Sequence, residues 1–197
     1  ALGVSLADAV QACSHLTAVP GRMQRVHADQ PSVLAGLAEH ALPLVVVDYA
    51  HTPDAVSHAL MALRSQAAAR GGRLWCVLGC GGDRDALKRP LMAAAAEAAA
   101  DQVVLTSDNP RSESPDAILA AMVTGLTRPQ QAHIELDRAL AIAQVVSQAA
   151  AKDVVLVAGK GHETEQDIMG VRHPFSDVAQ VRQALQQRAA QCQGAVA

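Results

Sequence analysis

The stretch "LPLVVVDYAHTPD", residues 42–54, indicates the fold class of this 197-residue chain. Its apolar run from Leu44 to Val47 is continuous rather than alternating, which is typical of a strand buried on both faces of a parallel sheet. Thr52 and Pro53 then supply an N-cap and a first helical residue. The sequence therefore predicts a buried strand that passes directly into a helix.

The same strand-then-helix unit recurs along the rest of the chain, after an initial helix predicted over residues 5–16. Strands are predicted at 42–50, 73–79, 101–107 and 153–159, with a short candidate at 133–137. Helices are predicted at 52–72, 88–100, 114–126, 138–151 and 176–191. This alternation predicts an α/β fold: a mostly parallel sheet with helices on both faces.

Composition excludes several classes of protein. The net charge of −3, scattered Lys and Arg residues and only 2% aromatic residues argue against nucleic-acid binding. No apolar run reaches transmembrane length. The four cysteines lack zinc-site spacing, and Cys76 and Cys80 are expected to be buried thiols in a reducing cytoplasm. The first residues have no basic leader and include Asp8, which argues against a signal peptide, and the lack of an initiator Met suggests a fragment or a processed chain.

Polar residues concentrate in the four segments that follow the predicted buried strands. These segments are "DYAHTPD" (48–54), "GCGGDRDALKRP" (79–90), "DNPRSESP" (108–115) and "GKGHETEQ" (159–166). Ligands bind open parallel sheets beyond the carboxyl ends of the strands. We therefore expect the four segments to line one binding edge.

Taken singly, the glycine-rich segments do not define a phosphate site. "GCGGDRD" has Arg84 where a dinucleotide fingerprint needs its third glycine, and Gly161 follows Lys160 where a Walker A motif needs Ser or Thr. A plain turn remains one reading of residues 79–90. The other is an anion site formed by backbone N–H groups, helped by nearby cations at Arg84, Lys88 and Arg89.

The other two segments have the same two kinds of reading. Asp48 and His51 could cap the next helix, or could hydrogen bond to a nucleotide or its metal-bound phosphates. The loop at 159–163 could be a solvated turn. Its two glycines favour a close approach of the backbone to another group.

Taken together, "DYAHTPDA", "WCVLGCGGDRD", "KRPLM", "TSDNPR" and "VLVAGKGHE" resemble the C-terminal domain of a Mur ligase, and most of all the diaminopimelate-adding members of that family. "GRMQRV" (21–26) resembles the family's interdomain hinge, and "FSDVAQVR" (175–182) its final motif. The resemblance implies that residues 1–22 are the tail of a central domain plus the hinge. It implies that residues 23–197 are a Rossmann-like, amino-acid-binding C-terminal domain.

The resemblance also implies an activity in bacterial peptidoglycan synthesis. Such a ligase uses ATP to convert a carboxylate of UDP-MurNAc-L-Ala-D-Glu into an acyl phosphate, which the amine of meso-diaminopimelate attacks in the cytoplasm. The family's central domain mainly holds ATP and Mg²⁺, and its N-terminal domain binds uridine. Since neither domain is in this sequence, we assign no catalytic or metal-binding residue here and expect the isolated chain to be inactive.

Site residues follow from the motifs that match. The residues implied for meso-diaminopimelate are Arg89, Asp108, Asn109, Arg111, Gly159 and Glu163. Those implied to face ATP on domain closure are Arg22, Asp48 and His51. The distal end of the amino acid is a zwitterion, so a guanidinium fork beside a carboxylate suits it.

Two alternatives stay open at this point. The first is a sister ligase domain that adds lysine or another amino acid, for which a neutral residue in place of Arg111 is expected. The second is a stand-alone, non-catalytic, Rossmann-like module that binds a ligand.

Overall fold

The computed structural model of the chain describes residues 3–15, 19–28 and 41–194. The predicted helix over 5–16 is observed as α1, and its predicted last residue lies outside the described residues. The elements, in chain order, are α1 (Leu6–Ser14), β1 (Gln24–Val26), β2 (Leu44–Asp48), α2 (Pro53–Arg70), β3 (Leu74–Cys80), α3 (Lys88–Ala99), β4 (Gln102–Ser107), α4 (Pro115–Val123), a 3₁₀ turn (Pro129–Gln131), β5 (His133–Glu135), α5 (Arg138–Gln148), β6 (Val154–Ala158), β7 (Glu165–Ile168), β8 (Val171–Pro174) and α6 (Asp177–Gly194).

The main sheet has six strands in the order β1-β2-β6-β3-β4-β5. The five strands β2, β6, β3, β4 and β5 are parallel, and β1 pairs antiparallel with β2 at the edge. Strands β7 and β8 form a separate antiparallel hairpin. The predicted α/β class with a mostly parallel sheet is confirmed, including the short strand at β5.

Helices cover both faces of the sheet because consecutive strand residues point to opposite sides. Leu78 of β3 packs on the face covered by α2, α3 and α4, in a cluster that contains Leu60 and Met122. Its neighbour Val77 packs on the opposite face, where α5 and α6 contribute Ile142 and Leu185. The predicted buried strands β2 and β6 are buried at every residue.

Local capping explains where α2 begins and ends. The Thr52 hydroxyl accepts a hydrogen bond from the N–H of Ala55, Pro53 is the first helical residue, and Gly71 ends the helix with a φ of 65°. Thr52 thus provides the cap that the sequence also allowed for Asp48 or His51. The side chains of those two residues have other partners.

A buried ion pair ties two helices to the carboxyl edge of the sheet. The Arg138 side chain is fully buried and forms two hydrogen bonds of 2.7 Å, from Nε and Nη2, to the Asp177 carboxylate. The same guanidinium donates to the carbonyl oxygen of Ser107 at 3.2 Å and to that of Ala158 at 2.9 Å. These carbonyls end β4 and β6, so the pair holds the two strand ends that precede the 108–115 and 159–166 loops.

Across the described part of the chain, no helix combines the length and apolar character needed to cross a membrane.

We predict that Asp177→Asn lowers the free energy of unfolding by about 3–5 kcal/mol, because it leaves the Arg138 guanidinium buried without a counter-charge. Urea unfolding of the chain measures this value. The matched control is Asp116→Asn, an exposed aspartate in the first turn of α4, for which a change below about 1 kcal/mol is expected. Equal small changes in both variants would show that the buried pair contributes little.

Candidate active site

One cleft of about 480 Å³ lies at the carboxyl edge of the parallel sheet and is lined by all four predicted loops. This confirms the expectation that the four segments meet at one edge. The predicted site residues that line it are His51, Arg89, Asp108, Asn109, Arg111, Gly159 and Glu163. Arg84 and Lys88, the cations noted beside the glycine-rich segment, line it as well.

Arg111 has an unusual backbone conformation, with a φ of 51°, and the β7–β8 hairpin holds it in place. Its N–H donates to the carbonyl oxygen of Asp167 at 2.9 Å, and its own carbonyl accepts from the N–H of Met169 at 2.7 Å. One guanidinium nitrogen, Nη1, donates to the Gly82 carbonyl oxygen at 2.7 Å. Among the described residues no carboxylate lies within salt-bridge distance of this guanidinium, so Arg111 brings to the cleft a positive charge without a direct ion-pair partner.

Asn109 and Glu163 are joined beneath the cleft by Lys160, whose side chain is fully buried. The Lys160 ammonium donates to Asn109 Oδ1 at 2.8 Å, to Glu163 Oε2 at 3.0 Å and to the Glu165 carbonyl oxygen at 2.7 Å. Asn109 Nδ2 also donates to Glu163 Oε2, at 2.7 Å. The "DNPR" and "GKGHE" motifs are therefore one hydrogen-bonded unit.

Glu163 is held in its ionised form. Burial alone would raise its pKa, but the hydrogen bond and charge of Lys160, with smaller contributions from Asn109 and Arg111, bring the pKa below the ordinary value for glutamate. At neutral pH the cleft therefore presents a carboxylate at Glu163 and a guanidinium at Arg111.

Arg89 lines the same cleft but already has a carboxylate partner. Its Nη1 and Nη2 donate to the two oxygens of Glu113 at 2.8 and 2.7 Å. The hydrogen bond from Arg89 in turn lowers the pKa of Glu113. The buried Nε of Arg89 has no hydrogen-bond partner among the described residues. Arg89 thus connects α3 to the 108–115 loop, and its direct contact with a substrate carboxylate remains a prediction.

Asp108 and Gly159 form the floor of the cleft. A side chain on Gly159 would place its Cβ 2.6 Å from Asp108 Oδ2, and the φ of 117° at this position also favours glycine. Asp108 is buried, and its carboxyl oxygen is 3.9 Å from the Lys160 ammonium. Burial raises the pKa of Asp108 above its usual value, since the nearby cations offset only part of the lost hydration.

The predicted buried cysteines are buried, and Cys80 lines the cleft. Burial raises the pKa of the Cys80 thiol to about 12, so it is protonated at neutral pH. Its environment does not generate a thiolate nucleophile.

The residues predicted to face ATP lie in or beside residues 21–26, the segment predicted to be the interdomain hinge. Asp48 accepts a hydrogen bond from the N–H of Met23 at 2.7 Å, and the Arg22 guanidinium lies 4.7 Å from the centre of the Tyr49 ring. His51 Nδ1 is 2.8 Å from the Tyr49 carbonyl oxygen. Arg22 therefore lies against Tyr49, and Asp48 bonds to the 21–26 segment. His51 is the one of these three residues that lines the cleft.

The predicted hinge segment, residues 21–26, also touches the 159–163 loop. A Cβ on Gly21 would lie 2.1 Å from the backbone nitrogen of His162, so the two segments approach more closely than any side chain would permit. The His162 ring lies 5.4 Å from that of Tyr49. In this loop, Lys160 and Glu163 bond toward the cleft, and residues 161–162 contact Gly21 of the predicted hinge segment.

Residues 21–161 match the protein family described as "Mur ligase, glutamate ligase domain". The chain belongs to the Mur ligase family. The match begins at Gly21, spans the first three site loops and ends within the fourth, at Gly161. The 175–182 segment, which also resembled the family, lies beyond the matched range and begins with the residues that lead into α6.

Named relatives in this family are diaminopimelate ligases. The UDP-N-acetylmuramoyl-L-alanyl-D-glutamate--2,6-diaminopimelate ligase of Acidovorax sp. (strain JS42) is 55% identical over 188 residues, covering 95% of this chain and 35% of that protein. The ligase of the same name from Chromobacterium violaceum is 53% identical, covering 93% of this chain and 34% of that protein. The chain thus spans about a third of the length of these relatives.

A solved structure of a UDP-N-acetylmuramoyl-L-alanyl-D-glutamate--2,6-diaminopimelate ligase superposes with a TM-score of 0.74 at 45% identity. It covers 94% of this chain, and the chain covers 35% of that structure. A folylpolyglutamate synthase from Thermotoga maritima superposes with a TM-score of 0.54 at 14% identity, which reflects a shared fold alone.

Sequence reasoning missed two parts of the site. The β7–β8 hairpin went unpredicted because its strands are short and charged, although Met169-Gly170 between them was a usable turn signal. Lys160 was seen only as a member of its motif, because lysine is rarely buried and its partner Asn109 is 51 residues away.

We predict that Asp108→Asn makes the folded chain more resistant to urea at about pH 8. The pKa of Asp108 is higher in the folded chain than in the unfolded chain. Protonated Asp108 therefore favours folding at low pH, and this stabilisation is lost as the pH rises through the folded-state pKa. Asparagine does not ionise, so the variant keeps its stability at high pH. The difference in free energy of unfolding between the variant and the wild type should shrink as the pH falls toward about 4. Urea unfolding across this pH range tests the sign, with the exposed Asp54→Asn as control. An advantage that grew toward low pH would contradict the assignment.

Proposed function

We propose that this chain is the C-terminal, amino-acid-binding part of an ATP-dependent ligase of peptidoglycan synthesis. Its residues 1–22 would be the tail of a central domain plus the hinge, and residues 23–197 the domain itself. The ligase would join meso-diaminopimelate to UDP-MurNAc-L-Ala-D-Glu through an acyl phosphate, in the bacterial cytoplasm. The proposal draws support from the site and from the names of the relatives that share 55% and 53% of its residues.

The observation that carries the proposal is the pairing of opposite charges at one end of the cleft. Arg111 offers a guanidinium without a carboxylate partner among the described residues, and Glu163, which lines the same cleft, offers an ionised carboxylate. The distal end of meso-diaminopimelate bears one carboxylate and one ammonium on a single carbon. Arg111 would bind the carboxylate as a fork, and Glu163 would accept from the ammonium.

This arrangement favours diaminopimelate over lysine. Lysine lacks the distal carboxylate, and binding it would desolvate Arg111 without supplying a counter-charge. A site built for a polar group rejects the analogue that lacks it much more strongly than an apolar pocket rejects a methylene. Asn109 would add a second polar contact beside Arg111, while Asp108 and Gly159 shape the floor.

The three residues in or near the predicted hinge segment would contact the nucleotide. Arg22, Asp48 and His51 lie where a central domain joined at residues 21–26 would close over the cleft, and we assign them to ATP, which is a substrate of the reaction. The described residues contain no group of three or more His, Cys, Asp or Glu able to hold a metal. We accordingly assign Mg²⁺ binding mainly to the rest of the ligase and expect no amide formation by the isolated chain.

In the full-length ligase we predict that Arg111→Ala raises the KM for meso-diaminopimelate. Loss of a desolvated charge contact costs roughly 2–5 kcal/mol, which corresponds to an increase in KM of about 30- to several-thousand-fold. Arg111→Lys should recover only part of the loss, because an ammonium cannot form the bidentate contact. Steady-state kinetics with varied diaminopimelate measures both.

Two controls make the result specific. The turnover of L-lysine, however slow, should not fall in Arg111→Ala, because lysine has no distal carboxylate to lose. Arg128→Ala, which removes an exposed arginine outside the cleft, should leave the KM for diaminopimelate unchanged. Wild-type kinetics for diaminopimelate in Arg111→Ala would refute the assignment.

A further inference from the structure

Among the described residues, Lys160 is the one lysine whose side chain is fully buried, and the proposed chemistry gives it no contact with substrate. All three of its ammonium donors are used, on Asn109, Glu163 and the Glu165 carbonyl. Burying a lysine costs free energy unless its charge is compensated and its donors are satisfied. The buried ammonium of Lys160 therefore bonds to both Asn109 and Glu163, two residues assigned to the substrate.

The first consequence concerns Asn109, whose amide can be turned either way. Asn109 Oδ1 accepts from the Lys160 ammonium at 2.8 Å and from the N–H of Asp167 at 3.0 Å. Both partners are donors only, so the oxygen must face them and Nδ2 must face Glu163. Lys160 and the N–H of Asp167 thus together set which end of the amide faces Glu163.

The second consequence concerns the two oxygens of Glu163. Oε2 accepts from both Lys160 at 3.0 Å and Asn109 at 2.7 Å. Among the described residues Oε1 accepts no hydrogen bond. One oxygen is therefore held by the protein, and the other is left to accept from a ligand in the cleft.

We infer that Lys160 is a positioning residue for specificity: it orients the Asn109 amide and holds Glu163 so that a single carboxylate oxygen meets the distal ammonium of the amino-acid substrate. This inference rests on the proposed function. Lys160 acts through Glu163 and does not itself touch the substrate. Substitution of Lys160 should weaken the binding of the distal ammonium by Glu163, while the contact between Arg111 and the distal carboxylate persists.

A purely structural Lys160 would behave differently. Its third bond, to the Glu165 carbonyl, supports the start of β7, and loss of that support would disturb the whole hairpin that holds Arg111. Binding of every substrate would then suffer alike. The two roles are separated by comparing substrates that differ only in the distal ammonium.

The test uses the full-length ligase with meso-diaminopimelate and with L-2-aminopimelate, which keeps the distal carboxylate but lacks the distal amino group. The measured quantity is the ratio of kcat/KM for the two. Four proteins are compared with wild type: Glu163→Gln, Lys160→Met, the double variant, and Lys152→Met as an exposed-lysine control.

We expect Glu163→Gln and Lys160→Met each to lower the preference for diaminopimelate by roughly tenfold or more, the size of a charge-assisted hydrogen bond. The change should lie in the KM for diaminopimelate rather than in kcat. The double variant should lose little beyond either single change, because both act through one contact. Lys152→Met should retain the wild-type ratio.

The outcomes separate the two claims. If Glu163→Gln leaves the ratio unchanged, the proposed role of Glu163 in binding the ammonium fails. If Glu163→Gln lowers the ratio but Lys160→Met lowers both kcat/KM values equally, the proposed function stands and the inference about Lys160 is overturned. Lys160→Gln replaces Lys160→Met if the latter does not fold, and failure of both to fold would assign Lys160 to structure instead.

Discussion

The buried pair of Arg138 and Asp177 is the interaction on which the arrangement of the site depends. One guanidinium neutralises a carboxylate at the start of α6 and donates to the last carbonyls of β4 and β6. Asp108 and Gly159 come directly after those carbonyls. The two loops that carry the proposed substrate-binding groups therefore start from strand ends fixed by a single buried charge.

The charged side chains of the two loops and of α3 fall into two groups: those paired within the protein and those left available to a ligand. Arg89 and Lys160 are paired with carboxylates of the protein, and they brace the loops from below. Arg111 is left without such a partner among the described residues, and Glu163 is left with one oxygen unused. A cleft that offers a guanidinium without an ion-pair partner and a carboxylate oxygen that accepts no hydrogen bond from the described residues is prepared for a ligand that carries both signs.

The same loop also links the cleft to the hinge. Gly21 lies against the backbone of residues 161–162, and Asp48 holds the N–H of Met23. Lys160 and Glu163 are in that loop, one or two residues from the hinge contacts. In a ligase that closes around its substrates, amino-acid binding and closure would share these residues, which is consistent with the nucleotide-facing role proposed for Arg22 and His51.

The sequence predicted the parallel core and the shared edge because those features follow from continuous apolar runs and from the polar segments after them. The Thr52 cap and the Gly71 end of α2 were predictable for the same reason: each rests on neighbouring residues. The antiparallel β1 has three residues and too little pattern to show. Pairings such as Arg89 with Glu113 and Lys160 with Asn109 join residues distant in the chain, and only the fold brings them together.

The most direct measurement is a crystal structure of the full-length ligase with meso-diaminopimelate bound. We expect the distal carboxylate on the Arg111 guanidinium and the distal ammonium on Glu163 Oε1, each within about 3 Å. Lys160 should still donate to Glu163 Oε2. A distal end bound elsewhere, with Arg111 turned toward a protein carboxylate, would contradict it.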